Sequence, residues 1–462
     1  MALSEAQLLV REIESFCRRA GLAESTFGRL AVGNSKLMTR LRAGRGVTLT
    51  TLQRLRDYMR RHEQPAGPSP IVKFDPAEGA AEPPETDVRY ERPFRFYDNR
   101  QKYLAFVHTC DEKIRVAERA IHELQHVEPA PPGLRLFDAG TGEGLVLTEV
   151  LRNAHHRHPT VPLFVNGKEI SDENARLCLQ KMPDRFCEHP ATVLAISNMR
   201  FADAAALAPD DQRAAAATHR IEVALRGTSS RDFAVQIAGL EQTLKEGWAT
   251  RRSAATGNPL PIRSSLLVIY REDHRLLLDA LMPRPDSRPR EYDLIIASHP
   301  WSAREASEVK VRNILAPLTR SLAPGGRLLA VQAYGDDPGH EILRAEWPGE
   351  VPFRIRRHEL LRALRETLGT DSTLYNFNAY SDNKALFQYR MHTLPAEISD
   401  NLGTSTLLAA WNAAIYVGQI EDERLEAAIA RGTYLASTRR VLRKYGGLWF
   451  NNETFVISRA RG

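Results

Sequence analysis

Cysteine is scarce in this chain, at four in 462 residues, and Cys17, Cys110, Cys178 and Cys187 show no C-x-x-C spacing. That excludes a disulfide framework and a thiolate zinc site, and implies a reducing cytoplasm. Lysine is also scarce: of 63 Lys and Arg only ten are lysine, a bias that base composition of a genome accounts for as readily as recognition does. No uncharged apolar run approaches the roughly 18–20 residues of a membrane helix. Residues 1–16 carry Glu5, Glu12 and Glu14 where a secretory signal is basic and then apolar, so neither a membrane nor a secreted protein is expected. Charged residues at 26% and hydrophobic residues at 43% are ordinary for a globular chain, and the length calls for two or three domains.

Charge is unevenly distributed. Residues 1–64 hold 12 Arg and Lys against 6 Asp and Glu, an excess equal to the +6 of the whole chain, so the remainder is formally neutral and any polyanion is expected at this end. Apolar periodicity predicts helices carrying Leu8, Ile13 and Phe16, then Glu24–Ala31, Asn34–Leu41 and Leu49–Met59. The run AESTFGRLAVGNSKLMTRLRAGRGVTLTTLQRLRDYM resembles the helix-turn-helix of phage-repressor-like DNA-binding domains, with Gly33-Asn34 where Gly-Val is more usual. The resemblance implies double-stranded DNA as partner, base contacts from Ser35, Lys36, Thr39 and Arg40, and phosphate contacts from Arg42 and Arg45. Residues 65–93 contain seven prolines and read as an extended linker.

From Phe94 the pattern alternates between helices and short apolar strands: a helix over Lys102–Gln125, a strand over Leu134–Asp138, a helix over Gly144–His155, a strand over Pro162–Val165 and a helix over Asp172–Lys181. Later strands are expected at Ser265–Tyr270, Tyr292–Ala297 and Arg327–Val331. Such alternation predicts an α/β fold with ligands at the carboxyl ends of parallel strands. The first strand runs into Asp138-Ala139-Gly140-Thr141-Gly142-Glu143-Gly144, where missing Cβ atoms let a ligand approach the backbone. A dinucleotide fingerprint needs its third glycine at 145, which is Leu145. An acid followed by G-x-G-x-G instead resembles motif I of class I S-adenosylmethionine-dependent methyltransferases.

That resemblance covers residues 94–395 and implies a doubly wound, mostly parallel seven-stranded Rossmann-like sheet, preceded here by a small all-α domain. It implies S-adenosylmethionine as cofactor, held by Asp138, Gly140, Gly142, Gly144, by Glu169 at the ribose and by Ile170 at the adenine. The adenine amino group would meet an acid after the third strand, and two acids compete. Asp273 follows Ser265–Tyr270 and is preferred. Asp203 lies in MRFADAAAL, and choosing Asp273 makes residues 190–262 an insertion. Ser298-His299-Pro300-Trp301 stands where amino-group methyltransferases carry a polar-Pro-Pro-aromatic motif, with His299 replacing a proline, which weakens the case for base methylation. Ser298 and His299 are the candidate catalytic residues, His299 as a general base. Pro324-Gly325-Gly326 is expected to make a reversal, Ser381-Asp382-Asn383 to join a closing hairpin, and 396–462 to form a mostly helical extension serving as lid or homodimer contact. No metal is expected at His155, His156 and His158, which end a helix. The expected function is methyl transfer to an unidentified acceptor. The rival is a DNA-binding transcriptional regulator whose methyltransferase-like domain senses the cofactor without transferring anything.

Overall fold

The computed structural model describes residues 5–20, 24–32, 34, 36–43, 47, 51–52, 55–56, 58–59, 100–252, 259–284, 291–393, 398 and 402–461. Ser35, Arg45 and the expected linker 65–93 lie outside the described residues. The chain divides into two compact units, 1–87 and 88–462.

In the first unit α1 (Glu5–Ala20), α2 (Glu24–Val32) and α3 (Leu37–Arg42) surround Ile13, Phe16, Phe27, Leu37, Leu41, Leu55 and Met59. The rings of Phe16 and Phe27 lie 5.5 Å apart. The turn into α3 is tight, with Asn34 N–H donating to Gly28 O at 3.0 Å, and a Cβ on Gly28 would strike the Asn34 carbonyl. Helix α3 is shorter than the expected Asn34–Leu41. The Asn34 side chain instead accepts from the Lys36 N–H at 3.0 Å, an Asx-type contact that competes with an earlier helix start.

The second unit opens with α4 (Arg100–Thr109) and α5 (Glu112–Leu124), where one helix was expected. The break falls where Cys110 bridges to Met391 and the Asp111 N–H donates to Arg390 O. Then come β1 (Leu134–Asp138), α6 (Leu145–Arg157), β2 (Leu163–Lys168), α7 (Asp172–Leu179), β3 (Thr192–Ser197), β4 (His219–Leu225), β5 (Ser265–Arg271), β6 (Tyr292–Ser298), β7 (Leu322–Ala333), β8 (Tyr375–Asn378), β9 (Leu386–Arg390), α8 (Thr404–Gly418) and β10 (Trp449–Arg459). These strands form one ten-stranded sheet, ordered β8-β10-β7-β6-β1-β2-β3-β5-β4, with β9 also on β10. Strands β7, β6, β1, β2 and β3 make a parallel centre. Its chain runs outward from β1 through β2 to β3 and later crosses back to β6, so β1 and β6 flank a topological switch point. Alternate strand residues feed two cores, Phe137, Val193 and Ile295 on one face and Leu136, Leu194 and Ile296 on the other, which makes the fold doubly wound and Rossmann-like.

Four expectations are corrected. The sheet has ten strands rather than seven. Its third parallel strand is Thr192–Ser197, inside the segment read as an insertion, whereas Ser265–Arg271 pairs antiparallel to it. The six residues TVLAIS are all buried, and a short apolar run without alternation carries no period to distinguish it. Pro324-Gly325-Gly326 lies within β7 as an irregularity in its pairing with β6. The expected hairpin around Ser381-Asp382-Asn383 is absent because β8 and β9 both pair with β10, so the chain beyond 396 supplies an inner strand of the sheet.

Candidate active site

The carboxyl end of β1 delivers Asp138 into the glycine turn. Asp138 is buried, Oδ1 lies 3.4 Å from the Gly140 N–H, and Oδ2 has no partner. Burial pushes its carboxyl up to about 7, against the pull of the Gly140 N–H and Lys113. Gly142 and Gly144 have φ of 56° and 81°, and a Cβ on Gly144 would lie 2.6 Å from Cys178 Sγ, so the fold itself needs glycine at both. Gly140 differs: a Cβ there meets only Ser298 O at 3.6 Å, an ordinary contact. Its missing side chain serves open space beside the turn.

That space is a chamber of about 20 Å³ bounded by Asp138, Gly140, Thr141, Gly142, Glu143 and Ser298, with Tyr103 from α4 and Lys113 from α5 closing it. The Glu143 Oε1 and Ser298 Oγ atoms are buried without partners, as Asp138 Oδ2 is. Three unmatched acceptors around one chamber are costly unless a ligand donates to them. The Tyr103 hydroxyl packs on Gly142, 2.7 Å from where a Cβ would be, and burial pushes that phenol up to about 12. The chamber is far below the roughly 300 Å³ of a ligand pocket, so Tyr103 must move for a nucleoside to enter.

At the end of β2, Glu169 is buried, accepts from the Ser171 N–H at 2.8 Å and is raised by burial. Trp248 covers it, donating from Nε1 to Glu169 O at 2.6 Å. Ile170 lines a separate wide groove together with Lys168, Asn198, Met199 and Asp203. Asp203 is buried and paired with Arg200 at 2.8 Å, an arginine whose side chain is largely exposed. Asp273 is not brought to this site. It lies in the turn after the antiparallel β5, where Arg271 at 2.5 Å and His274 at 3.0 Å hold its carboxyl down to about 2. Of the two competing acids it is Asp203 that lines the groove with Ile170.

After β6, His299 takes φ of 49°, a left-handed conformation uncommon outside glycine. Its Nε2 lies 2.8 Å from Glu112 Oε1, while Glu112 Oε2 lies 3.0 Å from Lys113 Nζ. Burial opposes ionisation of Glu112, yet Lys113 and His299 together hold its carboxyl well below the usual range. A carboxylate only accepts, so Nε2 carries the proton and Nδ1 is the atom free to take one. Asn452 lies 3.2 Å from the same Nε2, and its buried Oδ1 has no partner, which an amide turned with Oδ1 toward the ring satisfies. Trp301 is buried and donates from Nε1 to Gln332 Oε1 at 3.0 Å.

Beyond His299 lies a second chamber of about 50 Å³, sharing Lys113 with the first and walled by Phe106, Trp301, Lys310, Phe353, Tyr389 and Tyr416. Helix α8 supplies Tyr416, whose ring lies tilted against that of Phe106 with centroids 5.0 Å apart. Tyr103, Glu112, Lys113, Glu143 and Lys310 were not singled out from sequence. Glu143 stood within the glycine motif; the others sit at helical spacing, where charged residues read as a solvated face.

In the first unit Lys36, Thr39, Arg40 and Arg42 are exposed on α3. Arg42 is held in ion pairs with Glu14 at 2.6 Å and Glu24 at 2.7 Å, with its side chain still half exposed. The histidine-rich end of α6 is occupied locally: His155 Nδ1 lies 3.0 Å from His189 Nδ1, and His189 Nε2 lies 2.9 Å from Val161 O. Among the described residues no group of three His, Cys, Asp or Glu is placed to hold a metal, and no helix is long and apolar enough to cross a membrane.

No family model matches the sequence, and no curated protein matches it. Solved structures with a related trace include geranyl diphosphate methyltransferase in complex with GPP and sinefungin, at 12% identity over 74% of this chain and 78% of that one, TM-score 0.27. Phosphoethanolamine N-methyltransferase 2 of Haemonchus contortus in complex with S-adenosyl-L-methionine shares 10% identity over 74% of this chain and 52% of that one, TM-score 0.25. PKMT2 from Rickettsia typhi in complex with AdoHcy shares 13% over 74% and 52%, TM-score 0.26. This chain thus spans about half the length of the latter two. At such TM-scores the likeness carries no argument, and the fold assignment rests on the strand order.

Proposed function

We propose that the second unit is an S-adenosylmethionine-dependent methyltransferase. The observation that carries this reading is the trio of unpartnered buried acceptors, Asp138 Oδ2, Glu143 Oε1 and Ser298 Oγ, around the one glycine the fold does not require, at the switch point of a Rossmann-like sheet. An acid-lined chamber suits a cationic ligand and repels a diphosphate. When bound, the cofactor supplies a methyl group on a sulfonium, open to in-line attack.

Asp138 and Glu143 hold the cofactor's cationic amino group, Glu169 accepts from the ribose hydroxyls, and Ile170 with Asp203 bounds the adenine. Gly140, Gly142 and Gly144 keep the turn open and shaped. Tyr103 and Lys113 close over the chamber and exclude water, so positioning and desolvation supply most of the acceleration. His299 Nδ1 takes the proton of the acceptor's nucleophile while Glu112 fixes the ring, and Ser298 Oγ accepts a second hydrogen bond where the nucleophile is an amine. Calorimetry with S-adenosylmethionine, S-adenosylhomocysteine and NAD tests the reading, with Gly142→Val and Glu169→Ala as variants that should bind at least tenfold more weakly. Wild-type affinity in both variants overturns it.

We further propose that the first unit contacts double-stranded DNA through exposed Lys36, Thr39 and Arg40, supported by the excess of 12 basic over 6 acidic residues in 1–64. Gel shifts with genomic fragments, with and without S-adenosylmethionine, test this. Cofactor-linked DNA affinity without methyl transfer would favour the cofactor-sensing regulator instead.

A further inference from the structure

Lys310 is 1% exposed in the wall of the second chamber. Its Nζ donates to Ala303 O at 3.0 Å and lies 5.9 Å from the Trp301 ring centroid. Among the described residues no carboxylate comes within 4.0 Å of it, so a buried ammonium with three protons has one hydrogen-bond acceptor and no counter-ion. Of the other polar groups of the chamber, the buried Tyr389 hydroxyl also has no partner, while two more are matched. Glu112 is shared between His299 and Lys113, and Gln332 accepts from Trp301 while donating to Glu453. Burial pulls the Lys310 ammonium down to about 8, against the attraction of Glu305, Glu359 and Glu453, the acids that face it. A buried cation without a direct ion pair, in the wall of a small chamber with aromatic sides, suits an anion.

We infer that the methyl acceptor is a small carboxylic acid, its carboxylate paired with Lys310 and its nucleophile turned toward His299. This rests on the methyltransferase reading of the neighbouring chamber. The volume of about 50 Å³ is a few times the ~10–15 Å³ one water needs, which admits a carboxylate and one or two carbons without movement of the walls. Phe106, Phe353 and Tyr416 enclose the short apolar body.

The test is calorimetry on the full chain saturated with S-adenosylhomocysteine, titrated with glycolate, lactate, glycine and alanine, their amides, and methylphosphonate. One or more acids should bind at least tenfold more tightly than the matching amide. Lys310→Met should weaken that acid roughly 30-fold or more and leave its amide and S-adenosylhomocysteine unchanged, which also shows the variant is folded; Lys310→Arg should recover part of the loss. Acid affinity should fall as pH rises above about 8, as the ammonium loses its proton beside Glu305, Glu359 and Glu453, with Glu112, Lys113 and His299 on the facing wall. Acids binding no better than amides, methylphosphonate binding more tightly than every acid, or Lys310→Met binding acids like wild type would each overturn the inference. Failure of S-adenosylhomocysteine to bind would instead remove the methyltransferase reading, and with it this assignment of the acceptor.

Discussion

His299 Nε2 lies 2.8 Å from Glu112 Oε1, joining the turn after β6 to the helix that precedes β1. Two segments 187 positions apart thereby share one buried charge network, completed by Lys113 at 3.0 Å from Glu112. If Glu112 positions the ring, Glu112→Gln should lower kcat by roughly 10- to 100-fold with little change in cofactor affinity, and Glu112→Asp should recover part of it. His299→Ala should cost about 100-fold or more. A Glu112→Gln enzyme with the rate and pH profile of wild type contradicts the role.

The same network sets acid stability. A carboxyl depressed in the folded state contributes stability that is fully present above the ordinary glutamate range and is lost as pH falls toward its folded value. Glu112→Gln should therefore be about 3 kcal/mol less stable at neutral pH, and the gap to wild type should narrow below pH ~4. Urea unfolding at pH 7 and pH 3.5 measures both.

Asp138 works in the opposite sense. Its folded value of about 7 lies above the model-peptide value of 3.8, so the unliganded fold loses stability as pH rises between these values and is flat above. Asp138→Asn should remove that slope and be more stable than wild type at pH 8. A cationic ligand needs the ionised form, so wild-type affinity for S-adenosylmethionine should fall about tenfold per unit as pH drops below 7, while the Asn variant binds weakly at every pH. Calorimetry from pH 5.5 to 8.5 checks this.

The three glycines of the turn should separate by cause. Gly140→Ala has room for its methyl group and should fold normally while losing cofactor affinity. Gly144→Ala combines φ of 81° with the Cys178 contact and should lose 2 kcal/mol or more, above the roughly 1–2 kcal/mol of the left-handed backbone alone. In Gly142→Ala the contact is with the Tyr103 hydroxyl, so Tyr103→Ala should relieve part of that defect in the double variant. Thermal melts and cofactor titrations of the set distinguish the three.

Arg42 bridges Glu14 and Glu24, whereas Lys36 and Arg40 have exposed side chains on α3. Lys36→Ala and Arg40→Ala should each reduce the slope of log affinity for duplex DNA against log salt by about 1. Arg42→Ala should leave that slope unchanged. Fluorescence anisotropy at several salt concentrations resolves the two behaviours.

The parts of this fold that were legible in the sequence are those with a strong local signature. Leu134–Asp138 is a buried strand closed by a glycine turn, and the ligand end of the sheet follows from it. The position of Glu169 at the carboxyl end of β2 was legible because a strand-helix-strand unit sets the distance to the next strand. The third strand is hard to distinguish because TVLAIS has no period, and the equally apolar run at Ser265–Tyr270, with Asp273 soon after it, draws the assignment to a strand that proves antiparallel. Tyr103, Glu112 and Lys113 reach the site from helices distant in sequence, and their function exists only in the packing of α4 and α5 over β1 and β6. Lys310 is invisible for the same reason: only three dimensions reveal that, among the described residues, no carboxylate lies within 4.0 Å of its buried ammonium.

The most direct measurement is titration of the full chain with S-adenosylmethionine, S-adenosylhomocysteine and, as control, NAD. The unpartnered oxygens Asp138 Oδ2 and Glu143 Oε1 predict micromolar binding of the first two and none of the third. Absence of binding by either sulfur compound, or preference for NAD, would contradict the assignment of this glycine turn and everything built on it.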